Sequence, residues 1–337
     1  MDVQAIAIMP YASDVENMVI GYYDVWNFDE TAKIKIPNEL FYEQINKLIS
    51  MYYSTQIVNG RPQQKNISPV KIITPVDYVE KGYTFSSDDF NRIRSVAHIL
   101  YFSTTSSRNR YNSDMFKIDF YTLNDKSCAL NIHGNVITEY QFLRLIQPLS
   151  IISYGNRISY GSIISCFSKL LKDSSQQCRS MLRSLELFYN ASAVGEMLTI
   201  ESKILNLLMS IEVLLNTDGK LGLAEKIEKI NTGRKIFETR ELMIKNVKTK
   251  KTFSRTAWWF YDFYQLRNDI IHGNVISWDK VRNGDICLQN DIVGTVIRNC
   301  IIKEIICMDN AQSNQEASMF FINDLDIHID GLISETI

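Results

Sequence analysis

Trp258–Gly273 reads WWFYDFYQLRNDIIHG. Aromatic side chains crowd its first half, polar ones its second, and no proline or glycine interrupts it before the last position. Ser254 upstream is a helix N-cap residue type and Gly273 a C-cap type, so the spacing predicts one helix over Ser254–His272. The same texture extends outward. Ser175–Ala191, Thr199–Asn216, Leu221–Lys245 and Leu288–Met308 carry long helical patterns, and no proline follows Pro148. Several amphipathic helices joined by short turns pack naturally as a compact bundle.

Before about residue 165 the pattern is different. Asn17–Trp26, Ala32–Ile36 and Val70–Val79 are expected strands, rich in β-branched and aromatic residues. Asn38–Tyr53 has Leu40, Ile45, Leu48 and Ile49 at helical spacing, and Ser87, Asp88 and Asp89 open a second helix. Met115–Thr122 alternates, and Cys128–Ile137 suits a hairpin about His133-Gly134-Asn135. The expected architecture is an α+β N-terminal domain over residues 1–165, followed by an all-α helical bundle over 166–337. The boundary falls loosely in the Ser- and Gly-containing stretch Ser153–Ser175. A length of 337 residues fits two cores better than one. The first domain carries no catalytic signature, and a sensing or regulatory role is the expectation for it.

With 45% hydrophobic and 22% charged residues the chain has the make-up of a folded protein, not of a disordered or fibrous one. No run approaches 18 apolar residues, so no membrane partner is expected. The start, MDVQAIAIMPYAS, lacks a basic n-region, which suggests a cytoplasmic protein. Six scattered cysteines without a CxxC pair read as reduced thiols. There is no GxGxxG, Walker or GxSxG motif, and neither a cofactor nor a metal is expected. Asp326, His328 and Asp330 alternate, but an accidental spacing in an acidic tail explains them better than a ligand set does.

A net charge of −2 hides an uneven distribution. Residues 226–255 carry ten basic side chains against Glu228, Glu238 and Glu241, whereas residues 308–337 carry six acids and no Lys or Arg. The basic segment has three readings: it meets a polyanion such as RNA, it is a solvated loop, or it pairs with the acidic tail.

Within the opening stretch, Arg267 is followed by four residues and then His272, with the polar Asn268 directly after the arginine. An Arg and a His converging on one phosphate can cleave RNA without a metal. The imidazole, titrating near neutrality, moves protons to or from the 2′-hydroxyl or the leaving oxygen. The guanidinium stabilises the charge that builds on the phosphoryl oxygens. Two other histidines act as internal controls. Arg92 precedes His98, but Ile93 and Ile99 stand at the polar and glycine positions. The second IHG, at His133, has Cys128 in place of the arginine.

LRNDIIHG, Leu266–Gly273, is very similar to the signature of the HEPN superfamily, and residues 175–310 resemble its Apea-like branch. Ser184–Ala191 (SLELFYNA) and Leu205–Asn216 (LNLLMSIEVLLN) are similar to the branch's helix pair, with Glu212 at its acidic position. The resemblance implies an all-α domain that forms a homodimer with the R-x4-H helices facing each other. It also implies metal-independent endoribonuclease activity, commonly in toxin or anti-phage defence settings, where an antitoxin or regulatory partner is a further possibility. A non-catalytic module of the same kind, binding RNA or a protein, is the alternative. The resemblance covers about the C-terminal half of the chain.

Five helical residues turn about 500°, leaving Arg267 and His272 roughly 140° apart around the axis. Either the helix ends or distorts near Gly273, or a symmetry mate completes the site. Glu212 follows the stripe Leu205, Leu208, Glu212, Leu215, where its carboxylate wants a cationic partner, and Arg267 is the candidate. The expected catalytic set is therefore Arg267, His272 and Asn268, supported by Glu212 and by Asp269, placed to orient His272. The aromatic run Trp258–Tyr264 has two readings, base stacking and core packing.

Overall fold

The computed structural model describes residues 3–10, 12, 15–50, 52–58, 61–66, 70–104, 116–122, 129–131, 136–137, 161–192, 199–217, 219–244, 246–274, 286–308 and 321–334. It contains two compact units, Met1–Ser174 with Ala193–Met197, and Ser175–Ser192 with Leu198–Ile337. Among the described residues, no helix is long and apolar enough to cross a membrane.

The first unit is built on an antiparallel sheet. Its described strands are β1 (Val3–Met9), β2 (Met18–Ile20), β3 (Tyr23–Phe28), β6 (Val70–Pro75), β7 (Thr84–Phe85), β8 (Asp119–Thr122), β9 (Ala129–Asn131) and β10 (Val136–Ile137). They run in the order β10-β9-β8-β1-β6-β3-β2, with β7 added to β1. Ala7 of β1 lies opposite Ile73 on one side and Phe120 on the other. A separate hairpin joins β4 (Tyr53–Val58) to β5 (Arg61–Asn66). The helices are α1 (Ala32–Lys35), α2 (Glu39–Ser50), α3 (Ser87–Thr104) and α4 (Gly161–Ser168).

Two expectations shift here. Asn17–Trp26 is not one strand: Gly21, at φ +64°, turns the chain between β2 and β3, and a Cβ there would sit 2.7 Å from that of Leu171. Ala32–Ile36 is a single helical turn instead of a strand, because Asp29 accepts both the N–H and the hydroxyl of Thr31 and starts a turn. At α3 the reciprocal cap is formed by Ser86, whose Oγ accepts the Asp89 N–H while Asp89 Oδ2 accepts the Ser86 N–H. The tip of the expected hairpin at His133-Gly134-Asn135 lies outside the described residues.

The second unit comprises α5 (Gln176–Ala191), α6 (Ile200–Leu215), α7 (Lys220–Ile230), β11 (Phe237–Ile244), β12 (Val247–Ser254), α8 (Arg255–His272), α9 (Ile286–Met308) and α10 (Leu325–Ser334). Ser175, Thr199 and Ser254 cap α5, α6 and α8, each accepting a backbone N–H three residues on. α6 packs along α5, α9 lies against both, and α8 runs between α6, α7 and α10. Gly294 lets α9 approach α5, since a Cβ there would meet the Phe188 ring at 2.9 Å. Trp258, Phe260 and Phe263 are fully buried, and Trp259 and Tyr264 nearly so. The aromatic side chains of the run are core, except that Tyr261 keeps partial exposure.

The helix expected over Leu221–Lys245 ends at Ile230, and the chain continues as the β11–β12 hairpin, so this unit is not wholly helical. The structure shows part of the basic segment in the third of its three readings, paired with acids of the same unit and its tail. Within the unit Lys235 pairs with Glu228, Lys251 with Glu225, and Arg240 with Asp262 and Glu238. Arg234 and Arg255 pair with Asp324 and Asp330 of the acidic tail. Asp326 and Asp330 lie one helical turn apart on α10, not alternating on a strand, and both are occupied by protein donors.

Candidate functional site

Helix α8 runs unbroken to His272 and then stops. The Gly273 N–H bonds to the carbonyl of Ile270 and the Asn274 N–H to that of Asp269, with Gly273 in the left-handed region at φ +66°. This paired arrangement is the Schellman motif, which only a glycine or an asparagine adopts cheaply. No distortion brings His272 round toward Arg267, so the separation of roughly 140° about the axis applies.

Arg267 turns inward toward α6. Its Nε lies 3.9 Å from Glu212 Oε2, and the Glu212 side chain is only 14% exposed. The guanidinium also lies over the Tyr264 ring, 5.2 Å from its centroid, and Nη1 donates to Asn268 Oδ1 at 3.4 Å. The structure therefore brings Arg267, Glu212 and Asn268 together. Tyr264 in turn accepts the Gly219 N–H through its hydroxyl at 3.1 Å, which ties the start of α7 to the same part of α8.

His272 is exposed at the helix end beside Ile271, itself 52% exposed. Asp269 is not placed to orient it. The Asp269 Oδ1 accepts from Gln265 Nε2 at 3.1 Å and from Asn274 Nδ2 at 3.5 Å, and serves the helix terminus instead. Two neighbours were not singled out from the sequence. Lys220 Nζ donates to Gln265 Oε1 at 2.9 Å and lies 4.9 Å from the centre of the Tyr261 ring. Gln265 carried a usable signal, since it precedes His272 by seven residues and so shares its helix face. Lys220 carried none, because its place depends on how α7 packs on α8.

Among the described residues, no three His, Cys, Asp or Glu side chains gather in a way that could hold a metal ion. Comparison of the chain with family models, curated proteins and solved structures finds no match in any of the three.

What the arrangement can do follows from these contacts. One cation is held half-buried by a carboxylate and an aromatic ring, with a side-chain amide beside it. One imidazole stands at the tip of the same helix, in water. The first suits a phosphoryl oxygen, the second suits proton transfer.

Proposed function

We propose that the protein is a metal-independent endoribonuclease of HEPN type, acting as a homodimer whose R-x4-H helices face each other. The reading rests on the LRNDIIHG resemblance, and the observation that carries it is the ion pair of Glu212 with Arg267 across α6 and α8. A carboxylate that holds the guanidinium of the motif, beside an exposed His272, is what a preorganised phosphate site needs. A single protomer aims the two side chains in different directions, and a two-fold partner supplies the converging pair.

In this mechanism His272 accepts the proton of a ribose 2′-hydroxyl, whose oxygen attacks the adjacent phosphorus. The bond from phosphorus to the 5′-oxygen breaks, and the imidazolium of the symmetry-related motif returns a proton to that leaving oxygen. Arg267 carries the charge that accumulates on the non-bridging oxygens, while Asn268 hydrogen-bonds the guanidinium or the substrate. A toxin or anti-phage effector is the biological setting that accords with such an activity.

The test compares RNA cleavage by the wild-type chain and by His272→Ala, both with excess EDTA. Cleavage that survives the chelator and disappears in the variant is the expected result. RNA binding without any cleavage by the wild type would replace this reading with that of a non-catalytic binding module. Equal cleavage by both proteins would place the chemistry elsewhere.

A further inference from the structure

The face of α8 that carries His272 is not the face that carries Arg267. At 100° per residue, Tyr261, Gln265, Asn268 and His272 fall within an arc of about 60°, while Arg267 lies well outside it. These four residues form a strip of intermediate to full exposure along the C-terminal half of the helix. A cation from another element lies on this strip. Lys220, the first residue of α7, sets its ammonium 4.9 Å from the Tyr261 ring centre and donates to Gln265 Oε1 at 2.9 Å.

Three contacts fix this lysine instead of one. The Gly219 N–H bonds to the Tyr264 hydroxyl just before it, the Tyr261 ring attracts the ammonium through its π-face, and Gln265 takes one of its three N–H donors. Neither carboxylate of α8 is its partner: Asp262 pairs with Arg240, and Asp269 Oδ1 accepts from Gln265 and Asn274. The ammonium is thus half-buried and, among the described residues, bonded to a neutral amide and a ring instead of a carboxylate, on the histidine's side of the helix.

Among the described residues, Lys226 is likewise held by neutral groups, the Leu215 and Asn216 carbonyls, but five cations of this unit are held differently. Arg234, Lys235, Arg240, Lys251 and Arg255 are each paired with a carboxylate. A positive charge whose partners are an aromatic ring and an amide oxygen keeps its attraction for an anion from solution, where an ion-paired one has spent it. Gln265 and His272 are seven residues apart, about 10.5 Å along the axis, so an extended strand whose reacting phosphate lies at His272 runs along the strip toward Lys220.

Resting on the nuclease reading above, we propose that Lys220 is a substrate-binding residue that holds a backbone phosphate of single-stranded RNA a nucleotide or two from the scissile one. Tyr261 and Gln265 are positioning residues that aim its ammonium. Lys220 touches substrate but takes no part in bond breaking.

The experiment measures binding of a labelled single-stranded RNA of mixed sequence to the full chain in a His272→Ala background, as a function of salt. Adding Lys220→Gln is expected to weaken binding roughly three- to tenfold at moderate salt and to make the slope of log affinity against log salt shallower by about 0.7, the loss of one phosphate contact. Lys220→Arg, which keeps the charge, is expected to restore most of both. Thermal unfolding of each variant checks that the bundle is intact, and Tyr261→Leu, which frees the ammonium without removing it, is expected to fall between the parent and Lys220→Gln. Parent-like affinity and slope in a folded Lys220→Gln protein would overturn the assignment while leaving the cleavage result of the previous section standing. Absence of RNA binding by the parent would overturn both.

Discussion

Asp326 caps helix α8 from seventy residues away: its Oδ1 accepts both the backbone N–H of Thr256, at 2.8 Å, and the Thr256 hydroxyl, at 2.6 Å. Its Oδ2 accepts the Ile236 N–H at 2.6 Å, at the start of the hairpin. The side chain is fully buried. A carboxylate at a helix N-terminus meets the positive end of the helix dipole as well as orphan N–H donors.

Asp326→Ala leaves those three donors without an acceptor in the interior. Each unsatisfied group costs about 1–3 kcal/mol, so a loss of roughly 3 kcal/mol or more is expected. Urea unfolding followed by circular dichroism checks it, and a change below about 1 kcal/mol would contradict the role. Asp326→Asn, which keeps one acceptor oxygen, is expected to lie between.

Glu212→Gln tests the support given to Arg267. The pair is long and Arg267 is partly exposed, so its removal is expected to cost less than about 1 kcal/mol in stability. Loss of the guanidinium's aim is expected to lower cleavage by roughly tenfold to a hundredfold. A parallel reading of unfolding midpoint and initial cleavage rate separates the two effects, and an unchanged rate would remove Glu212 from the site.

At Gly273 a Cβ would meet nothing within 4 Å, so substitution there strains only the backbone. Gly273→Ala is expected to cost about 1 kcal/mol, and Gly273→Asn less, because asparagine tolerates the left-handed region. The fraying falls on the turn that carries His272, so cleavage should follow the same order. Equal midpoints for all three proteins would show that the terminus does not need its cap.

How much of this was legible in the residues is best seen at three places. Ser175, Thr199 and Ser254 announced helix starts that the fold uses, because a cap is a local device and tertiary context seldom overrides it. Phe237–Ile244 misled, because Glu, Arg, Leu and Met favour helices and the charges masked a two-residue alternation. The turn signal Asn231-Thr232-Gly233 stood in plain view, with Gly233 at φ +80°. Arg267, Asn268 and Glu212 were found by motif and stripe, whereas Lys220 and Asp326 act through packing between distant segments, which no local pattern encodes.

Lys71, on strand β6, gives a test in the first unit. It is fully buried, donates to Asn17 Oδ1 at 3.0 Å and feels Asp29 and Glu16, yet burial pulls its ammonium down to about 8. Between pH 8 and its ordinary value of 10.5 the folded chain has released this proton and the unfolded chain has not. Stability therefore rises with pH in that window, by at most about 1.4 kcal/mol per pH unit. Lys71→Met lacks this contribution, and the wild type is expected to gain on it steadily from pH 8 to pH 10 in urea midpoints. A constant difference between the two would refute the assignment.

The clasp between Asp326 and Thr256 also has a consequence in time. In chain order, helix α8 with its Arg267 and His272 is synthesised before residue 326. Until then the first turn of α8 lacks its acceptor and the Ile236 amide at the foot of the hairpin lacks its own. The nascent chain thus carries the whole motif in an unfastened form while it is still beside the message that encodes it. The short downstream helix α10 supplies the acceptor that these donors use in the folded chain.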